Sequence, residues 1–192
     1  MLQSNAMNPI SPPTQEHSSA CPVARSVLTT ASAGRNFLVI AAIAFWLGGF
    51  TFYSGVAIPM GVEVLGTHRA VGFITQRVTY WLNVAGVAAL SIFLANIALG
   101  WRSSSRFVRR MLVMSWVVMV AIEIELFVMH PMLDRLLITQ PVREILDVDR
   151  FDFLHRIYLL STTVQWGFGM VHVWGICLMW AGRNATGLNG AE

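Results

Sequence analysis

The sequence predicts an all-α membrane protein: an antiparallel bundle of four transmembrane helices with no separate soluble domain. Three observations predict it. Of the 192 residues, 55% are hydrophobic and 12% are charged, whereas soluble domains carry about a quarter charged residues. Mean hydropathy is +0.60. The apolar residues also gather into four long runs, each matching the roughly 20 residues that a helix needs to cross hydrocarbon. This composition excludes a disordered chain and a collagen-like repeat. Cys21 and Cys177 stand far apart, so neither a disulfide framework nor a zinc ribbon can form.

Residues 1–34 are polar and rich in Ser, Thr, Pro and Ala, which reads as a disordered cytoplasmic tail. Residues 35–182 then form the transmembrane domain, with spans at about 37–59, 78–101, 111–132 and 157–180, and residues 183–192 form a second cytoplasmic tail. Backbone groups in lipid must bond within their own segment, so runs this long are helices. The alternating short segments of a transmembrane barrel do not occur in the sequence. In the first connection Thr67 is placed to cap a short helix that runs into the second span. In the third, Pro141 suits the first turn of a helix carrying Val142, Ile145 and Leu146. Pro131 is expected to end or kink the third span. Trp81, Trp101 and Trp180 lie near span ends, where an amphipathic ring suits the headgroup level.

All 13 basic side chains are arginine, and with 10 acidic residues they give a net charge of +3. They form no basic stripe interleaved with aromatics, so nucleic acid is set aside as a partner. They encode orientation instead. Arg102, Arg106, Arg109 and Arg110 crowd the short second connection, while Arg135, Arg143, Arg150 and Arg156 share the third with five acids. The positive-inside rule weighs density near span ends, which places both termini in the cytoplasm.

An ionisable group at membrane depth costs at least about 2.5 kcal/mol on insertion scales, so each needs a partner or a purpose. Glu123, Glu125 and His172 are such groups, with Gln165, Asn83, Asn96 and Tyr53 as neutral company. At about 100° per residue, Glu123 and Glu125 project about 200° apart and cannot both face one seam. Met119, Glu123 and His130 share one stripe, and Ser161, Gln165, Phe168 and His172 share another. Counting about 1.5 Å per residue puts Gln165 level with the two glutamates and His172 about one turn from Glu123. If spans three and four are antiparallel neighbours, a hydrogen bond from one of the glutamates to Gln165 or to His172 is therefore within reach. Glu123, Glu125, Gln165 and His172 form the candidate polar intramembrane site, and interhelical glue is the plainer role for the same residues.

The outer end gathers Met60, His68, Met129, His130, Met132 and His155. Thioether sulfur with imidazole suits Cu(I), and paired histidines suit haem or zinc, so His68, His130, Met132 and His155 form the candidate metal set. Methionine also fills packing gaps, and that reading stands beside the first. No HExxH, CxxC, P-loop, GxGxxG or nucleophile elbow occurs, so hydrolytic and nucleotide chemistry have no foothold.

The run Trp46-Leu47-Gly48-Gly49-Phe50, then Pro59, Tyr80-Trp81 and Phe153-Leu154-His155-Arg156, resembles a group of uncharacterised bacterial four-helix integral membrane proteins. That group is related to a eukaryotic transmembrane protein associated with platinum-drug resistance. A more distant similarity is to the copper-resistance D family, whose helices also carry a Trp-x-Gly-Gly element. The resemblance implies four helices and an unassigned activity, and it supplies no catalytic residues. The leading functional expectation is binding or translocation of an ion, metal or small hydrophobic molecule through the polar site within the bundle. Two alternatives stand beside it: a haem- or copper-binding redox subunit, and an accessory subunit of a larger membrane complex. The bilayer is the expected partner, with a second copy or a complex partner as further expectations.

Overall fold

The computed structural model describes residues 22–101, 104–138 and 144–188. Two units are distinguished, Met1–Gly34 and Arg35–Glu192. In the first, helix α1 (Pro22–Ile43) already begins at Pro22. Residues 22–34 are thus helical where composition predicts a disordered tail, and residues 1–21 lie outside the described residues.

The chain continues from α1 through a π-helical turn at Ala44–Gly48, α2 (Gly49–Phe52), a second π turn at Tyr53–Ala57, and α3 (Ile58–Leu65). The second π turn has a local cause. Pro59 lacks an N–H and its ring crowds the carbonyl of Gly55 four residues back, so the helix widens there. Gly66 then stops the helix with φ 73°, a left-handed conformation that glycine adopts without a Cβ penalty, and its N–H closes on Val62 O at 2.9 Å.

Thr67 caps α4 (His68–Gly100), its hydroxyl accepting from the Ala70 N–H at 3.2 Å. The short helix expected after Thr67 and the second span are one continuous helix. Ser105 caps α5 (Arg106–Asp134) in the same way, accepting from Val108 N–H at 3.3 Å. Pro131 does not end α5, which runs one further turn to Asp134. Beyond it, Leu137–Ile138 (β1) and Glu144–Ile145 (β2) form a two-residue antiparallel pair, Leu137 opposite Ile145 and Ile138 opposite Glu144. Ile145 is therefore in a strand pair and not in the helix expected after Pro141; Pro141 and Val142 lie outside the described residues. Asp147 accepts from Arg150 N–H at 3.0 Å as α6 (Val148–Leu188) begins, nine residues before the run read as the fourth span.

Among the described residues, three helices are long and apolar enough to cross a membrane: Ala31–Leu65, Ala70–Gly100 and Arg106–Asp134. Helix α6 is a further long helix, and Ser161, Thr162, Thr163, Gln165 and His172 dilute its apolar run. Outward-facing positions are strongly apolar, with Phe45 76% and Phe107 71% exposed. A surface of that kind calls for an apolar surrounding.

Among the described residues, the interior falls into three clusters stacked along the helices. Ile122, Leu126, Met129, Leu133 and Tyr158 pack near the Asp134 end of α5. Trp46, Leu47, Leu90, Phe93 and Met119 pack in the middle. Val39, Ile97, Val108, Leu112, Ile176 and Met179 close the Arg106 end. Helices approach closely where glycine faces a large side chain: a Cβ on Gly169 would lie 2.8 Å from Leu47, and one on Gly175 would lie 2.8 Å from Leu112. Between helices in lipid, such packing supplies the attraction that water exclusion supplies elsewhere.

Candidate functional site

Helices α4, α5 and α6 meet along a seam whose partners run in opposite chain order. Ser115 of α5 meets His172 of α6, Glu123 meets Gln165, and Glu125 meets Ser161. Across the other seam, Trp116 meets Leu90 of α4 and His130 meets Gln76. Period 3.6 on each helix thus brings one polar stripe per helix onto a shared line.

Glu123 is the centre of that line. It is 4% exposed, and Gln165 Nε2 donates to its Oε2 at 2.6 Å while also lying 3.3 Å from Met119 O. Of the two partners that the depth arithmetic puts within reach, Gln165 and His172, it is Gln165 that Glu123 bonds. A third element makes room for the carboxyl: a Cβ on Gly86 of α4 would lie 2.8 Å from Glu123 Oε2 and 3.0 Å from Oε1. The carboxyl is therefore seated on bare α4 backbone, and Oε1 is buried without a hydrogen-bond partner. Glu125, about 200° around the helix, is exposed and accepts from Ser161 at 2.9 Å. The two glutamates separate as the helical period requires, and Glu123 is the inward one.

Further toward the Arg106 end, His172 is fully buried and stacked on Phe93, with ring centroids 4.9 Å apart. Its Nδ1 lies 2.8 Å from Ser115 Oγ, and Ser115 donates its one hydrogen to Leu112 O at 3.1 Å. Nδ1–H is then the donor to Ser115, which leaves the lone pair on Nε2, an atom with no partner. Asn96, 1% exposed, has neither amide atom bonded. Each such buried polar atom costs about 1–3 kcal/mol.

Toward the Asp134 end, Tyr158 donates to Asn83 Oδ1 at 3.2 Å, and Asn83 stands one turn from Gly86 on the same face of α4. Tyr158 is also part of the wall of a cavity of about 510 Å³ that holds Gln76, His130, Asp134, Asp152 and His155 among apolar residues. Gln76 Nε2 donates to Asp134 Oδ1 at 2.8 Å, and His130 Nε2 lies 3.0 Å from the Gln76 carbonyl, which can only accept. His130 Nδ1 faces Asp134 Oδ2 at 3.2 Å. His155 stacks on Phe151 at 5.6 Å, and burial lowers its pKa from the ordinary 6.5 against the opposing charge of Asp152.

The candidate metal residues fare unevenly. His130 and His155 line one cavity, Met132 is 39% exposed and does not line it, and the His68 side chain lies outside the described residues. Among the described residues, no three His, Cys, Asp or Glu side chains converge as metal ligands.

Two features were not foreseen from the sequence. One is the seating of Glu123 on Gly86; Gly86 is visible as a small residue, but its partner lies on another helix. The other is an open groove of about 400 Å³ between α4 and α5, walled by Val87, Leu90, Leu94, Val120, Ile124 and Phe127, with Glu123 at its floor. No protein-family model, no curated protein and no solved structure matches this chain.

Proposed function

We propose that this chain is a bacterial inner-membrane protein, an antiparallel bundle of four transmembrane helices with both termini cytoplasmic. Its task on this reading is to bind and translocate a small species through a polar intrabundle site, the proton being the species best suited to the groups present. Kinship with the four-helix family carried by Trp46–Phe50, Pro59, Tyr80-Trp81 and Phe153–Arg156 is part of the same proposal. The observation that carries it is the Glu123 carboxyl: mid-helix, 4% exposed, held by Gln165 on Oε2 and unpartnered on Oε1. A carboxyl so placed costs several kcal/mol when ionised without a cation beside it, a cost that glue alone does not require. Support also comes from the groups in line with it. From Asp134 to Ser115 the polar positions extend over about 28 Å at about 1.5 Å per residue, close to the thickness of a hydrocarbon core.

The cluster of Val39, Ile97, Val108, Leu112, Ile176 and Met179 packs the Arg106 end, the cytoplasmic end on this reading, which supports gated transfer over an open pore. In proteoliposomes under an imposed pH gradient, the wild-type chain is expected to dissipate the gradient and Glu123→Gln to lose at least about 90% of that rate, roughly a tenfold effect. Equal rates in the two proteins would overturn the reading.

A further inference from the structure

We propose that the groove between α4 and α5 binds a lipophilic amine drawn from the bilayer, with the amine nitrogen on Glu123 Oε1. The inference rests on the membrane reading of the chain and on Glu123 as its site, and it names the class of ligand. The groove faces outward, since Val87 and Leu94 are each 46% exposed and Ile124 is 61% exposed. In a bilayer that opening meets acyl chains, so an occupant arrives sideways from lipid. Its volume of about 400 Å³ falls within the roughly 300–1,000 Å³ of small-molecule sites.

Hydrogen-bonding inventory decides the chemistry of the head. The Ser91 hydroxyl donates to Val87 O at 2.8 Å and Trp116 Nε1 donates to Leu90 O at 2.9 Å. Both donors in the groove wall are thus committed to backbone. Glu123 also lines the groove, and its Oε1 is buried and unpartnered, so an amine bonds it as the carboxyl turns toward the groove. An amine matches that carboxyl with the shared proton on either partner: an ammonium N–H donates to the carboxylate, and a neutral amine accepts from the acid. A ligand carboxylate or phosphate has acceptors only and meets repulsion from an ionised Glu123. The ammonium also supplies the counter-charge that no arginine provides, since among the described residues Glu123 forms no salt bridge. The remaining walls are apolar and take the hydrocarbon body.

The test uses full-length protein in lipid nanodiscs and radiolabelled dodecylamine as probe, with empty nanodiscs subtracted. Saturable binding near one per chain is expected, weakened at least about tenfold by Glu123→Gln. Dodecanol and dodecanoate, of equal chain length, are expected to compete at least about tenfold less well than dodecylamine. Val87→Trp narrows the groove from its lipid face without touching the carboxyl, and it should also weaken binding, which carries the test if Glu123→Gln does not fold. Binding no greater than in empty nanodiscs, equal competition by dodecanoate or dodecanol, or full-strength binding in both variants would overturn the proposal. A Glu123-dependent proton flux without amine binding would remove the amine and leave transport standing. Amine binding without any flux would do the reverse.

Discussion

At the residue scale, the identity of position 86 controls the geometry of position 123. Gly86→Ala puts a methyl group 2.8 Å from Glu123 Oε2, and the carboxyl is held in place by Gln165. The carboxyl must give way, so Gly86→Ala is expected to cost about 1–3 kcal/mol in detergent-solubilised unfolding. In a Glu123→Ala background the same change should cost well under half as much, because the clash has lost its partner. Equal costs in both backgrounds would separate the two residues. His155 supplies a pH signature. Burial holds its pKa below the ordinary 6.5, so the folded state favours the neutral ring. That contribution is fully present above pH 6.5 and is lost as pH falls below it, once the unfolded chain takes the proton first. Thermal midpoints followed from about pH 8 to about pH 5 should fall on the acid side, and His155→Gln should flatten the slope. A bond from one of the two glutamates to Gln165 or to His172 was legible in the sequence, because rise per residue fixes depth. The third party, Gly86, was not, since nothing in the sequence says which face of α4 turns toward α5.

At the element scale, helix existence was easier to read than helix limits. All four apolar runs lie in helices, and three of those helices are long and apolar enough to cross a membrane among the described residues, where backbone groups must bond within their own segment. Their ends depend on single side chains, some predictable and some overridden by context. Thr67 caps α4 as its position implies, and Asp147 starts α6 nine residues earlier than the apolar run alone indicates. Pro131, expected to end or kink the third span, does not end it. A proline removes one N–H and strains one turn, yet the helix resumes because the Arg135 N–H closes back on Pro131 O at 3.2 Å, while Leu133 is buried against the α5–α6 core. Pro59 has its effect instead through the π turn at Tyr53–Ala57. Ile145, expected in a helix, pairs with Leu137 because residues 137–138 and 144–145 lie opposite each other as a hairpin. A pairing of two residues on each side is too short to leave a periodic trace in either segment.

At the scale of the whole molecule, orientation and enclosure are separate questions. Arginine density in the α4–α5 connection sets the proposed orientation, and Arg109 lies 4.5 Å over the Trp101 ring at that end. A cysteine placed at Ser104 in a Cys177→Ser, Cys21→Ser background should react with an impermeant maleimide in inside-out vesicles and stay protected in whole cells. The opposite pattern would invert the topology. By itself the sequence indicated that the chain is helical and apolar, with four apolar runs of which three fall in helices long and apolar enough to cross a membrane among the described residues, and that Glu123 and Glu125 face different ways. These follow from composition and from a fixed 100° per residue, which act within one segment. Tertiary structure alone decided that Glu123 is the inward carboxyl, that Gly86 seats it, and that a groove between α4 and α5 reaches it. Those facts depend on which faces of separate helices meet, and the rotation of each helix about its axis is set by packing across the seam.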